Sequence, residues 1–191
     1  AAALNGDLEQ RDRDQVLAMF ANRSLSVLVA TDVAARGLDI DALDMVINVE
    51  LARDSEIHIH RVGRTGRAGE KGLAMSLVAP AEGHRAQAIE TLQKAPLNWH
   101  PLSSLKHQGG APLQPPMITL CISAGRKDKL RPGDILGALT GEAGIPGAQV
   151  GKIAIFDFQA YVAVERSLAL QALKRLSEGK IKGRSLKVRL L

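Results

Sequence analysis

The residues best suited to chemistry in this chain are the arginines of His60-Arg61-Val62-Gly63-Arg64-Thr65-Gly66-Arg67-Ala68-Gly69. Arg61, Arg64 and Arg67 recur at every third position, and Gly63 and Gly66 separate them. A guanidinium is permanently charged and offers a planar fork of donors that matches phosphate oxygens. Glycine lets a helix stop tightly, so the last arginines project from a turn. A helix that only complements its own dipole needs one or two C-terminal cations. Three arginines broken by two glycines ask for a phosphate ligand.

A second chemical segment lies upstream, at Ala30-Thr31-Asp32-Val33-Ala34-Ala35-Arg36-Gly37-Leu38-Asp39-Ile40. It follows Leu25-Ser26-Val27-Leu28-Val29, an apolar run that reads as a buried strand. Open α/β sheets bind ligands beyond the carboxyl ends of their strands, where Thr31, Asp32, Arg36 and Asp39 fall. In isolation this is an ordinary strand-to-helix turn with Asp32 as its cap. Its order before the arginine cluster sets it apart.

Together these words resemble the second RecA-like domain of DEAD-box RNA helicases. The likeness runs from Gly6-Asp7-Leu8 to Leu77. It takes in Gln10-x-x-Arg13, the Ala30–Ile40 segment, Val46-Ile47-Asn48, Ile59-His60-Arg61, the arginine cluster and Gly72-Leu73-Ala74. One position departs: Asn5 stands where the family usually has His. The resemblance implies an ATP-dependent enzyme of two RecA-like domains, with ATP and RNA bound in and across the cleft between them. Arg64 and Arg67 match arginine fingers on the γ-phosphate, and Asp39 matches a carboxylate near the ATP ribose. His60 and Arg61 match a link from the nucleotide site to the other domain. Gly6, Arg13 and Thr31 match contacts to RNA phosphates. The phosphate-binding loop and the acids that hold Mg2+ would lie in a missing N-terminal domain, and the chain contains no Gly-x-x-x-x-Gly-Lys-Ser/Thr string. This chain alone is therefore expected to be inactive as an ATPase.

The charge is unevenly spread. Residues 1–95 carry 11 Lys/Arg and 14 Asp/Glu, whereas residues 117–191 carry 13 Lys/Arg and 6 Asp/Glu. The formal +5 of the whole chain thus arises in its last third. Such asymmetry suggests a module facing nucleic acid beside a near-neutral one. Cys121 is the only cysteine, which excludes an intrachain disulfide and fits a reducing compartment such as the cytoplasm. No apolar run reaches transmembrane length, so no membrane partner is expected. The five histidines do not cluster at zinc-ligand spacing, and no metal site is expected.

The elements that must position these groups follow from periodicity. A helix is expected from Asp7 to about Ala21, with Val16, Leu17 and Phe20 on one face. Strands are expected at Leu25–Ala30, Asp44–Val49 and Lys71–Val78, and helices at Ser55–Val62 and Ala81–Gln93. The alternation predicts a parallel, helix-covered sheet over residues 1–94. That RecA-like domain is expected to be partial. The chain has no initiator Met, and the family carries a further strand and helix ahead of this point. A sheet without those neighbours exposes an apolar edge.

Residues 95–116, rich in Pro and Gly, read as a linker, with Trp99 expected to pack on one domain. Residues 117–191 read as strand, helix, strand, strand, helix, strand: Met117–Ile122, Arg131/Pro132–Thr140, Lys152–Phe156, Ala160–Val164, a helix after Ser167, and Arg184–Leu191. This is the ferredoxin-like βαββαβ plan of RNA-recognition motifs, an α+β domain following the α/β one. Its expected stacking positions are poorly filled: Thr119 holds the first, and Tyr161 is the one ring, with a core role as its alternative. Arg126, Lys127, Lys129 and Arg131 bracket one loop, and Lys180, Lys182 and Arg184 precede the last strand.

This unit resembles the RNA-binding domain of certain bacterial DEAD-box proteins. The likeness rests on Arg131-Pro132-Gly133-Asp134-Ile135-Leu136-Gly137-Ala138-Leu139-Thr140-Gly141, Gly151-Lys152-Ile153 and Glu178-Gly179-Lys180-Ile181-Lys182-Gly183. It implies an RNA partner, a hairpin of large-subunit ribosomal RNA within a pre-ribosomal particle, and a part in ribosome assembly. Arg126, Lys127, Lys129, Lys180, Lys182 and Tyr161 are the expected RNA contacts. Two other readings stand beside it: a non-catalytic RNA-binding module with a vestigial helicase half, and a DNA-directed helicase fragment.

Overall fold

The computed structural model describes residues 1–32, 43–66, 71–105, 109–141 and 144–191. By contact the chain forms two compact units. One joins Ala1–Arg36 with Ala111–Leu191, and the other is Gly37–Gly110.

The N-terminal segment runs β1 (Ala2–Leu4), α1 (Gln10–Ala21) and β2 (Leu28–Ala30). β1 and β2 are parallel, with Ala2 opposite Leu28 and Leu4 opposite Ala30. Parallel neighbours need a crossover, and α1 supplies it. Asn5 Oδ1 accepts from the Asp7 backbone N–H at 3.2 Å, an Asx turn that leads the chain from β1 toward α1. Small, weakly β-forming alanines gave no sign of β1. It forms because β2 offers a paired edge and Leu4 is buried.

The Gly37–Gly110 unit contains β3 (Met45–Asn48), α2 (Ser55–Val62), β4 (Leu73–Ser76) and α3 (Gly83–Gln93). β3 and β4 are parallel. Asp54 starts α2 by accepting from the Ile57 N–H at 2.8 Å. Leu51, Ala86 and Ile89 form a small core. Met45, Ile47 and Val49, with Leu73, Met75 and Leu77, stay 39–70% exposed at alternate positions along the two strands and one residue beyond each. Among the described residues the parallel strands pair two by two, β1 with β2 and β3 with β4. Trp99 is 59% exposed, against the expectation that it packs.

The C-terminal part follows the expected βαββαβ order: β5 (Met117–Ile122), α4 (Pro132–Thr140), β6 (Val150–Ile155), β7 (Ala160–Glu165), α5 (Ala169–Glu178) and β8 (Val188–Leu190). The sheet is antiparallel in the order β6-β7-β5-β8. Strand alternation sends Leu120, Ile122, Val162 and Val164 to one face, where they pack with Ile135, Leu139, Ala172 and Leu176. The other face carries Thr119, Cys121 and Tyr161. Helix α1 lies against it, with Ala18 in one cluster with Cys121 and Tyr161. Thr119, fully buried, accepts from Asn22 Nδ2 at 2.8 Å and shares a 2.6 Å hydrogen bond with Ser24 Oγ. Arg189 donates to Gln15 Oε1 at 3.1 Å from the β8 edge. The last strand is shorter than the expected Arg184–Leu191: Arg184 closes a turn with Ile181, and residues 185–187 lie outside the strand.

Candidate functional site

The two basic loops of the C-terminal part are brought together. After β5 the chain makes one 3₁₀ turn at Arg126–Asp128, and Lys129 then takes a left-handed φ of 60°. Before β8, Ile181 and Arg184 exchange backbone hydrogen bonds at 2.9 and 3.1 Å around Lys182-Gly183. Both central residues have positive φ, 52° and 76°, as a tight two-residue hairpin turn requires. Lys182 Nζ donates to the Lys129 carbonyl at 2.5 Å, and Arg184 donates to the Asp128 carbonyl at 2.7 Å. These bonds lock one loop to the other.

The cations of this ledge divide into two sets. Arg126 pairs with Asp157 at 3.5 Å, Lys182 with Asp134 at 3.7 Å, and Arg184 with Asp128 at 3.8 Å. These exposed pairs shape the surface and add little stability. Lys127, Lys129 and Lys180 are exposed and, among the described residues, have no carboxylate within ion-pair distance. With exposed Arg131, they are the ledge cations that carry no such pair among the described residues. The sequence named all these loop residues but gave no means of joining them. The pairing of Lys182 and Arg184 with carbonyls fifty residues away does.

Tyr161 requires a correction. Expected as a stacking ring, it is 1% exposed, meets Phe156 edge-on at 5.6 Å, and donates its hydroxyl to Gln159 Oε1 at 2.6 Å. Burial, followed by the neighbouring Cys121, pushes its hydroxyl up to about 12. Helix α1 covers the sheet face that the ring would have offered. Cys121 beside it is also buried, and burial raises its thiol pKa, the environment of an inert cysteine.

Gly6, Arg13 and Thr31 gather at the carboxyl ends of β1 and β2. Arg13 Nη1 donates to the Asn5 carbonyl at 3.1 Å, and the Thr31 N–H donates to the Leu4 carbonyl at 3.3 Å. Gly6 and Thr31 are exposed there. Asn5, the departure from the family pattern, uses its side chain for the turn instead.

The arginine cluster is set by the end of α2. Gly63 closes the helix, its N–H donating to the Ile59 carbonyl at 2.8 Å, and a Cβ there would lie 2.9 Å from that same oxygen. Gly66 follows with φ 67°. The turn between them is fixed: the Arg64 carbonyl accepts from the Leu43 N–H at 3.0 Å, and the Thr65 hydroxyl donates to the Leu43 carbonyl. Arg61 braces the end of β3, donating to the Glu50 carbonyl at 2.8 Å and to Asn48 Oδ1 at 3.3 Å. Half-buried Arg64 thus stands on a braced turn, the form a phosphate donor needs. Asp39 and Arg67 lie outside the described residues.

Parallel strands with an arginine turn, and a βαββαβ part with a basic ledge, make this chain similar to the C-terminal part of DEAD-box RNA helicases. Residues 1–69 match the helicase conserved C-terminal domain, and residues 119–190 match the DbpA RNA binding domain. The chain is 55% identical over all 191 residues to the ATP-dependent RNA helicase DbpA of Escherichia coli K12, covering 41% of that protein. It is 34% identical to the DbpA of Bacillus subtilis 168, with 97% of this chain and 43% of that protein aligned. The chain therefore spans about two fifths of the length of these relatives. Among solved structures, the E. coli DEAD-box protein SrmB bound to regulator of ribonuclease activity A aligns at 34% identity and a TM-score of 0.49. That alignment covers 58% of this chain and 65% of the other.

Proposed function

We propose that this chain serves as the C-terminal part of an ATP-dependent enzyme that remodels structured RNA. Residues 1–94 form its helicase half, residues 95–116 a linker, and residues 117–191 choose the RNA. The target is a hairpin of large-subunit ribosomal RNA, met in the cytoplasm during ribosome assembly. In the helicase half, Arg64 and Arg67 donate to the γ-phosphate of ATP as charge develops in the transition state. Asp39 accepts from the ribose hydroxyls, and Mg2+ is held by acids of the N-terminal domain of the whole protein. Gly6, Arg13 and Thr31 hold RNA by its phosphates, which positions a strand without reading bases.

The observation that best supports this reading is the interlocked basic ledge, where Lys182 and Arg184 tie two loops into one surface and leave Lys127, Lys129 and Lys180 free. Phosphate contacts release counterions, so affinity should fall with salt by a slope of roughly 0.7–0.9 per contact. The test is the affinity of the 191-residue chain for a large-subunit ribosomal hairpin and for a scrambled hairpin of equal length at physiological salt. Preference for the ribosomal hairpin, lost in Lys127→Glu/Lys129→Glu together with part of the salt slope, is the expected result. Equal affinity for both RNAs overturns the targeting role and leaves a nonspecific basic tether.

A further inference from the structure

The sequence placed no functional aromatic in the turn between β6 and β7, yet the structure presents one there. The hairpin closes through the Phe156 N–H donating to the Gln159 carbonyl at 2.8 Å, and Asp157 and Phe158 form its tip. Turn tips favour Gly, Asn, Asp and Ser, for which there are backbone reasons. Phe158 has no such reason and stands 71% exposed.

The basic ledge holds this tip. The Arg126 N–H donates to the Phe156 carbonyl at 2.7 Å, and the Lys127 N–H donates to the Asp157 carbonyl at 2.9 Å. Arg126 adds a side-chain hydrogen bond to the Ile155 carbonyl at 3.2 Å and its ion pair with Asp157. The approach is so close that a Cβ on Gly125 would lie 2.2 Å from the Phe156 oxygen. An exposed ring is therefore fixed beside two cations by backbone bonds.

Between this tip and α1 lies an open concavity of about 420 Å³, lined by Phe156, Phe158 and Gln159 with Arg11 and Asp14 of α1. Gln159 Oε1 is taken by the Tyr161 hydroxyl, so the amide NH2 is the donor this side chain has left to offer. Asp14 supplies carboxylate acceptors and Arg11 supplies donors. An aromatic wall, hydrogen-bonding groups of both kinds and adjacent cations make a site for one nucleotide: ring for base, polar edge for base edge, lysine for phosphate.

The geometry points to Phe158 and its concavity as the site of one unpaired RNA nucleotide flanking the hairpin held by the ledge. The inference rests on the RNA-binding reading above, and its test separates the two. The full 191-residue chain is titrated with the ribosomal hairpin bearing a short single-stranded extension, and with the same hairpin blunt-ended. Phe158→Ala should weaken binding of the extended RNA roughly 5- to 150-fold, the cost of one lost base stack, and leave the blunt RNA unchanged. Phe158→Tyr should restore it. In a Trp99→Phe background, Phe158→Trp places the chain's only tryptophan at the tip, and its emission should be quenched by the extended RNA and not by the blunt one. If Phe158→Ala leaves both RNAs unaffected, or weakens both equally, the nucleotide site is refuted while the ledge stands, provided Lys127→Glu/Lys129→Glu still weakens both. If the unsubstituted chain binds neither hairpin, both readings fall.

Discussion

Replacing Thr119 with Val tests whether α1 truly covers the sheet. The hydroxyl of Thr119 joins two hydrogen bonds, 2.8 Å from Asn22 Nδ2 and 2.6 Å from Ser24 Oγ, and all three residues are buried. Thr119→Val keeps the shape, strands the Asn22 amide and leaves Ser24 Oγ with only its 3.2 Å bond to the Met19 carbonyl. Two bonds at about 0.5–1.5 kcal/mol each, plus incomplete solvation of the stranded groups, give a cost of about 2–4 kcal/mol. Thr119→Ser keeps the oxygen and loses only a methyl, about 1 kcal/mol. The assay uses Tyr161, the chain's only tyrosine. Its hydroxyl titrates near 12 because burial raises it above 10. A raised folded-state value means that the buried neutral form stabilises the contact fully below pH 10, and that this stability is lost as pH rises from about 10 toward 12. In Thr119→Val the absorbance transition of tyrosinate should move down toward 10, and urea unfolding of the chain should shift to lower concentration. In Thr119→Ser it should stay near 12. An unchanged titration in Thr119→Val would refute the placement of α1 on this face.

Further outcomes follow from the same geometry. Gly125→Ala should destabilise the Ala111–Leu191 part by about 1–3 kcal/mol, since its Cβ would overlap the Phe156 carbonyl; thermal melting reads this, and hairpin affinity should fall with it as Arg126 and Lys127 leave the turn. In the whole enzyme, Arg64→Ala or Arg67→Ala should slow RNA-stimulated ATP turnover by factors of about 10³ or more while leaving ATP and RNA affinity nearly intact; equal losses in binding and turnover would indicate a folding role. His58 is buried with its Nδ1 unpartnered, and burial followed by the Arg61 charge lowers its pKa below the ordinary 6.5. The unfolded chain then binds the proton first, so the stability of the Gly37–Gly110 unit should fall as pH drops below about 6.5. His58→Gln should flatten that dependence in melts across pH 5–8, and an unchanged dependence would contradict the burial.

Local signals made much of this molecule legible. The glycine-punctuated arginines marked the end of α2, and the apolar runs marked β3, β5 and β7 within two residues. Pro132 marked the start of α4, since its fixed φ suits a first helical turn. What stayed hidden depends on long-range contact. β1 is three residues of Ala-Ala-Leu with no propensity of their own, and it exists through its parallel partner. Tyr161 sits at a stacking position by strand register, but exposure depends on what covers the face, and α1 comes from 140 residues earlier in the chain. The union of the two basic loops rests on side chains reaching carbonyls, which no periodicity reports. Phe158 did leave a signal: a bulky aromatic at a hairpin tip where turn chemistry calls for none.

The arrangement of charge on the ledge explains why net charge alone understates its purpose. The +7 balance of residues 117–191 counts every cation equally. In the fold, Arg126, Lys182 and Arg184 are spent on carbonyls and carboxylates of their own surface, and each ties down a loop that carries a free lysine. A bound phosphate gains from a cation that is fixed in place before binding, because less ordering remains to be done. Arg126 and Arg184 have planar forks that hold two acceptors at once, whereas Lys127, Lys129 and Lys180 are compact charges on long stems that can follow a curved backbone. Arg126, Arg184 and Lys182 as braces, with Lys127, Lys129 and Lys180 as the exposed charges, is the division that the proposed RNA contact would use. The exposed ring of Phe158 then stands where such a surface would meet a base that has left the helix.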